Sequence, residues 1–463
     1  MEFEEGLEPV SPTGQYFNSS VLSVSIVAAM EFEIPINNLP SIMSLLKDVF
    51  LPINPRFSSI MVTGKKGEKQ WKRVEVKLED HINVPIFPIG LSPDSYDKYY
   101  DDYISEIAMN QFPQNKPLWE IHIVKYPTSN AAGTIIFNLH HALGDGYSLM
   151  GALLSSLQRA DNPSLPLTFP FSERSESKSD RLSRGVSQLF SLIFNTIYDF
   201  GWSVLKSNFI EDDRTPIRSG EKGVEFRPIT ISTMTFSLDH IKFIKDKLGV
   251  TINDVITGII FFGTRLYMQE ISQKSSKADS TAIVFLSTRT VRGYKSVEEM
   301  IKPKSDTPWG NQFGLLHVSI PKFTNLKSSN PLEFVLKVHK IIKQKRNSSS
   351  VYFTGRLLSI MKKLKGPKAA SRYIQRASNY SSMSISNMIG PVEQMALDKH
   401  PVKGLYFMTV KVPQSLTITM VSYMGNLRVA VGSEKGFLDP HKFKSCVINA
   451  FEMTLQAAHE IPT

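Results

Sequence analysis

Two adjacent histidines and an aspartate–glycine pair, in His140-His141-Ala142-Leu143-Gly144-Asp145-Gly146, form the segment of this chain best equipped for chemistry. Imidazole takes up and returns a proton near neutral pH, which suits a general base. The residues before the pair, 134–139 (TIIFNL), read as a buried strand. Neighbouring side chains of a strand point to opposite faces. One histidine should therefore enter a cavity while the other packs or shapes the turn, and the two are badly placed to chelate one metal. His141 is the expected base, and His140 the structural partner. Asp145 suits a loop-holding role, and Gly144 and Gly146 permit a tight turn. An amphipathic helix should open at Tyr147, with Leu149, Met150, Leu153, Leu154 and Leu157 on one side.

The elements that position this segment read as an α/β layer pattern. Residues 21–36 and 134–140 read as buried strands, and Pro40 to Phe50 carries helical spacing. Residues 161–184, rich in Ser, Pro and charge, read as a linker. Strands and helices then resume: 251–271 as a buried helix, 282–288 as a strand, 415–434 as a hairpin turning at Gly425-Asn426, and Pro440 to Glu460 as a closing helix. The expected division is 1–160 as a first domain, 161–215 as a polar linker with an apolar helix, and 216–463 as a second domain.

Composition narrows the function. The chain has 463 residues, 41% of them hydrophobic, with a formal charge of +10. That excludes a mainly disordered chain, a collagen-like repeat and a multi-spanning membrane protein. A single cysteine, Cys446, excludes a disulfide framework and reads as a buried small hydrophobe. The first residues show neither a basic start nor an early apolar core, so a cytosol-facing location is expected. The basic residues look dispersed and no nucleic-acid signature accompanies them, which leaves a membrane surface or a phosphate-bearing small molecule as partner. Lysines at 337, 340, 343, 345, 362, 363 and 365 and Arg346 on two helical runs serve either partner, or simply a solvated face.

Residues 185–205 (GVSQLFSLIFNTIYDFGWSVL) are long enough to span a bilayer but carry Asp199 and several other polar residues. A helix lying in the membrane interface, one packed on the protein and a true span all remain open, with the interfacial one fitting best.

His140-His141-x-x-x-Asp145-Gly146 resembles the HHxxxDG motif of acyl-CoA-dependent acyltransferases. Glu8-Pro9-Val10-Ser11-Pro12, Pro117-Leu118-Trp119-Glu120, Asn253-Asp254-Val255, Ser386-Asn387-Met388-Ile389-Gly390-Pro391 and Tyr423-Met424-Gly425 narrow the resemblance to the wax ester synthase/diacylglycerol acyltransferase family of plants and bacteria. Asp199-Phe200-Gly201-Trp202 imitates a signature of the soluble BAHD acyltransferases, but its place in the chain is wrong for them. The resemblance implies two chloramphenicol-acetyltransferase-like α/β domains with mixed sheets and a tunnel between them. It implies a long-chain alcohol or diacylglycerol as acceptor, acyl-CoA as co-substrate, no cofactor and no metal. His141 would be the base and Asp145 the holder of an internal salt bridge. Asn253, Ser386 and Asn387 are candidate oxyanion donors, with Gly390 letting backbone approach closely. Trp119 is expected in the core. The expected location is the cytosolic face of the endoplasmic reticulum membrane. The competing enzyme reading is BAHD-like transfer to a soluble hydroxylated metabolite.

Overall fold

The computed structural model describes residues 7–64, 69–169, 199–287, 289, 295–302, 305, 307–323, 330–347 and 350–462. Two large sheets organise them. The first has seven strands in the order Ile82–Asn83, Trp119–Val124, Gly133–His140, Ser25–Phe32, His400–Val410, Met395–Leu397, Gln158–Arg159. The second has six: Phe313–Ser319, Thr281–Ser287, Met383–Ile389, Leu416–Tyr423, Asn426–Glu434, Ile229–Ser237. Both are mixed: Ile82–Asn83 runs parallel to Trp119–Val124 in the first, and Thr281–Ser287, Met383–Ile389 and Leu416–Tyr423 run parallel in the second, while the other pairs are antiparallel.

Each sheet is covered as its apolar alternation demands. Ile26, Met30, Ile135, Phe137 and Leu139 face a core shared with the helix Gly146–Ser155. Val27, Ala29 and Ile136 face the other way, onto the helix Pro93–Met109. The second sheet buries Ala282, Leu316 and Ile418 beneath the helices Ile252–Ile271 and Pro440–His459. Its opposite face contributes Ile283 and Leu315 to a cluster with Tyr16, Phe17, Leu22 and Val24 of the first half.

The division at 216 needs correction. Residues 395–410, far into the second half of the sequence, belong to the first sheet, where His400–Val410 pairs along the whole of Ser25–Phe32. The edge of that sheet is buried on both faces and left open by its own half, and this crossover strand fills it. The hairpin also shifts by one residue: Tyr423 pairs with Asn426, so Met424 and Gly425 make the turn, both at positive φ.

Of 185–205, residues 185–198 lie outside the described residues. Residues 199–208 form a helix whose polar side faces inward. Asp199 pairs with Lys345 at 2.6 Å, Ser203 meets His317 Nδ1 at 3.1 Å, and Lys206 reaches Asp212 at 2.5 Å; all of these but the half-buried Lys345 are buried. The imitation of a BAHD signature at Asp199 is thus an inward-facing ion pair. Among the described residues, no single helix is long and apolar enough to cross a membrane.

Candidate active site

The strand Gly133–His140 ends at the histidine pair, and the alternation carries through. Leu139 joins the core under the helix Gly146–Ser155, while His140 turns to the opposite face and lies edge-on to Phe112, with ring centres 6.0 Å apart. The Ala142 N–H donates to His140 Nδ1 (3.1 Å), so the ring proton sits on Nε2, which donates to Ser23 Oγ (3.2 Å). Both nitrogens are occupied. Burial pulls the His140 pKa down to about 3, and Lys411 on the same side opposes its protonation further. Burial likewise lowers the Lys411 ammonium, to about 8; it bonds the Asn110 carbonyl and lies 5.3 Å from the centre of the Phe112 ring.

His141 has different company. Its ring packs against Phe17 (4.7 Å) and Phe313 (5.6 Å), one from each half of the chain and themselves stacked 5.7 Å apart. Asn311 Nδ2 donates to the His141 carbonyl oxygen (2.9 Å), and Asn311 Oδ1 lies 2.7 Å from His141 Nδ1. A carbonyl only accepts, so the first bond fixes which way the amide faces. Oδ1 must then accept from Nδ1–H. That leaves Nε2 unprotonated, its lone pair free of any protein partner among the described residues. Burial lowers the His141 pKa, partly offset by the charge of Asp145, and so holds the ring neutral at neutral pH.

Asp145 does not touch His141. Its Oδ1 accepts from the Ser148 N–H (3.1 Å), capping the helix Gly146–Ser155. Its Oδ2 accepts from Arg289 Nη1 (2.6 Å) and from the Gln312 N–H (2.9 Å). The Arg289 guanidinium is almost fully buried and also donates to the carbonyls of Pro308 and Gly310 and to Ser148 Oγ. One arginine of the second half thereby ties the histidine loop to the segment that carries Asn311. Leu143 O accepts from Trp309 Nε1 (2.9 Å) and from Arg56 Nη1 (3.4 Å), and Arg56 in turn holds Glu8 (3.1 Å). The Glu8–Pro12 motif now has a physical purpose. Glu8 bears on Arg56, Ser11 caps the helix Pro12–Phe17, and that helix ends at the Phe17 ring packed on His141.

The remaining candidates form a separate pair. Asn387 Nδ2 donates to Asn253 Oδ1 at 2.5 Å, tying the strand Met383–Ile389 to the first turn of the helix Ile252–Ile271, while Asn387 Oδ1 is buried with no partner among the described residues. Asp254 is committed to a capping box with Thr251 and to His339 (2.8 Å). It is Met388, one residue on, that meets the histidine loop: a Cβ added at Gly146 would lie 2.8 Å from its sulfur. Alternation puts Ser386 on the Met388 face and Asn387 on the other. Gly390 does serve close approach, since a Cβ there would run into the Ser422 carbonyl oxygen. Trp119 is in the core and donates to Phe57 O (2.8 Å), and burial pushes the Cys446 thiol up to about 12.

Arg56, Arg289, Trp309 and Asn311 escape a reading of the sequence. Each lies in a short or irregular segment, and nothing near it in the chain marks it as reaching the histidines.

Residues 50–256 match the family described as "Wax ester synthase/diacylglycerol acyltransferase catalytic domain", and residues 309–454 match its C-terminal domain. Wax ester synthase/diacylglycerol acyltransferase 4 of Arabidopsis thaliana is 29% identical over 95% of this chain and 88% of its own length. Number 11 of the same organism is 28% identical over 98% and 96%. Among solved structures, the wax ester synthase/diacylglycerol acyltransferase from Marinobacter aquaeolei VT8 superposes with a TM-score of 0.61 at 14% identity, covering 98% of this chain and all of that one. The first condensation domain of the CDA synthetase gives 0.55 at 11% identity, over 94% and 91%. At such identities the structural likenesses establish the fold.

Proposed function

The chain belongs to the wax ester synthase/diacylglycerol acyltransferase family, and from that premise we propose how its site works. It is an acyl-CoA-dependent O-acyltransferase that esterifies long-chain alcohols to wax esters, with diacylglycerol as a second acceptor; BAHD-like transfer is not favoured. The observation that carries the mechanism is the unprotonated Nε2 of His141, fixed by Asn311, on a ring packed against two phenylalanines. Nε2 takes the hydroxyl proton of the alcohol. The oxygen, carrying the electron pair of the broken O–H bond, attacks the thioester carbonyl. As the tetrahedral intermediate collapses the C–S bond breaks, and the imidazolium returns the proton to the CoA sulfur. The ester forms without a covalent acyl-enzyme, and the protonated, buried Cys446 has no part in it.

Phe17, Phe313 and the adjoining Phe285, Leu315 and Val412 supply an apolar lining suited to alkyl chains, and exclude the water that would hydrolyse the thioester. Asp145, Arg289 and Trp309 act through the loop rather than on the substrate. Of the oxyanion candidates, Ser386 is favoured by its place on the loop-facing side of its strand.

Because long-chain alcohols and diacylglycerol reside in bilayers, the reading extends to a membrane surface, and to the cytosolic face of the endoplasmic reticulum. The test of the activity is labelled palmitoyl-CoA offered hexadecanol, diacylglycerol and a phenolic alcohol in parallel. Ester from hexadecanol is expected, and product from the phenolic alone would overturn the lipid reading.

A further inference from the structure

The positive charge is not dispersed. Between Pro331 and Asn379 the sequence holds twelve Lys and Arg against one acidic residue, Glu333. That net of +11 exceeds the +10 of the whole chain, so the remainder is nearly neutral. These residues build three consecutive helices, Pro331–Asn347, Ser350–Lys365 and Pro367–Asn379.

The middle helix packs Leu358 and Thr354 inward but is also apolar on its outer side. Phe353, Leu357, Ile360, Met361 and Leu364 recur at helical spacing, with Phe353 44% exposed, Ile360 52% and Leu364 79%, and Leu357 and Met361 half-buried between them. Helix 199–208 beside it also turns apolar residues out. Its polar Asp199, Ser203 and Lys206 are locked inside, while Leu205 and, just beyond its end, Phe209 and Ile210 stand in solvent, Phe209 at 77%. Asp199–Lys345 joins this helix to the end of Pro331–Asn347, and the Phe200 ring packs against Phe353 at 5.8 Å. The Phe200–Phe353 contact thus sets the two outward apolar stripes beside each other, and the exposed Lys343, Arg346, Arg356, Lys363 and Lys365 lie on the helices Pro331–Asn347 and Ser350–Lys365.

Contiguous exposed apolar surface rimmed by charge marks an interaction site on a soluble-looking fold. Anionic CoA would use the lysines but has no need of Phe209, Ile360 and Leu364. We infer that the face formed by helix 199–208 and helix Ser350–Lys365 seats the protein on an anionic lipid bilayer. The apolar residues enter the boundary between headgroups and acyl chains, and the lysines meet the lipid phosphates. Membrane seating of this face rests on the bilayer-resident acceptors proposed above, while esterification itself is measured separately in detergent micelles.

The full chain is sedimented with vesicles of phosphatidylcholine alone and of phosphatidylcholine with phosphatidylserine. Binding about tenfold stronger to the anionic vesicles, weakening as salt is raised, is expected. A Phe209→Glu/Leu364→Glu variant should lose about tenfold in binding to both vesicles, with Tm and micellar activity unchanged because both side chains already face out. A Lys363→Glu/Lys365→Glu variant should lose the anionic preference. Wild-type binding by the Phe209→Glu/Leu364→Glu variant, or no preference in the wild type, would overturn the assignment. An environment-sensitive probe on Leu364→Cys should shift to the blue only when anionic vesicles are added. A probe already blue-shifted in their absence would mean that the chain's own residues 170–198 cover the face, and would equally overturn it.

Discussion

At the scale of single residues the site depends on which nitrogen of His141 carries the proton. His141→Ala removes the base, and a general base contributes roughly 10²- to 10⁴-fold, so kcat should fall by that factor with Tm little changed. Asn311→Ala leaves the ring in place but removes the acceptor that holds the proton on Nδ1. It should cost about tenfold to a hundredfold in kcat with KM nearly constant, and shift the acid limb of the pH–rate profile; a parallel fall in Tm with an unmoved profile would reduce Asn311 to packing. His140 and the fully buried His317 act differently, because burial lowers both to about 3. Below the unfolded-state value near 6.5 the unfolded chain binds protons that the folded one refuses, so stability falls with pH through that window. At pH 5 each histidine costs on the order of 2 kcal/mol relative to pH 7. Denaturant midpoints from pH 7 to 5 should fall steeply, and His317→Gln should flatten the slope. The two histidines were legible because their spacing is local and strand alternation separates their roles. Asn311 and Arg289 were not, because a side chain that reaches across 144 to 170 positions leaves no periodic trace.

At the scale of elements, the histidine loop is a short turn held from outside. Asp145 caps the helix behind it and also anchors Arg289, whose guanidinium holds the Pro308–Gly310 backbone. Asp145→Asn keeps the cap but strands a buried arginine, and leaving such a charge unpaired costs about 3–5 kcal/mol. The variant should therefore lose activity and melt early together, as followed by thermal denaturation alongside the transfer assay. An inactive variant with the wild-type Tm would place the Asp145 charge in catalysis instead. Helices and strands with clean alternation, such as Gly133–His140 and Pro440–His459, were readable to within a residue or two. The helix at 199–208 shows what the pattern left open: the polar residues that argued against a span are the ones that dock it on the protein, and its apolar residues face out. Hydrophobic pattern alone does not say which side of a helix meets the fold.

At the scale of the whole molecule, the active site is a seam. The Phe17 and Phe313 rings, the Leu143–Trp309 bond and the Asp145–Arg289 pair each join a residue of one half to a residue of the other. The succession of strand and helix patterns revealed two α/β halves but not that the second returns a strand to the first, since a strand's partner is chosen by the open edge it completes. Expressed separately, 1–215 and 216–463 should fail to give cooperative melting transitions, whereas mixing them should restore some structure by circular dichroism; an independently folded 1–215 would contradict the shared sheet. The same crossover sets a timetable for birth on the ribosome. Ser25–Phe32 emerges early, yet its neighbour His400–Val410 is made roughly 370 residues later. At ~5–20 residues per second the nascent edge waits tens of seconds, apolar and unpaired, for the chain to catch up with itself. Yield in a foreign host should therefore depend less on final stability than on what shields that edge in the interval, and a chain interrupted before residue 400 should be found in aggregates.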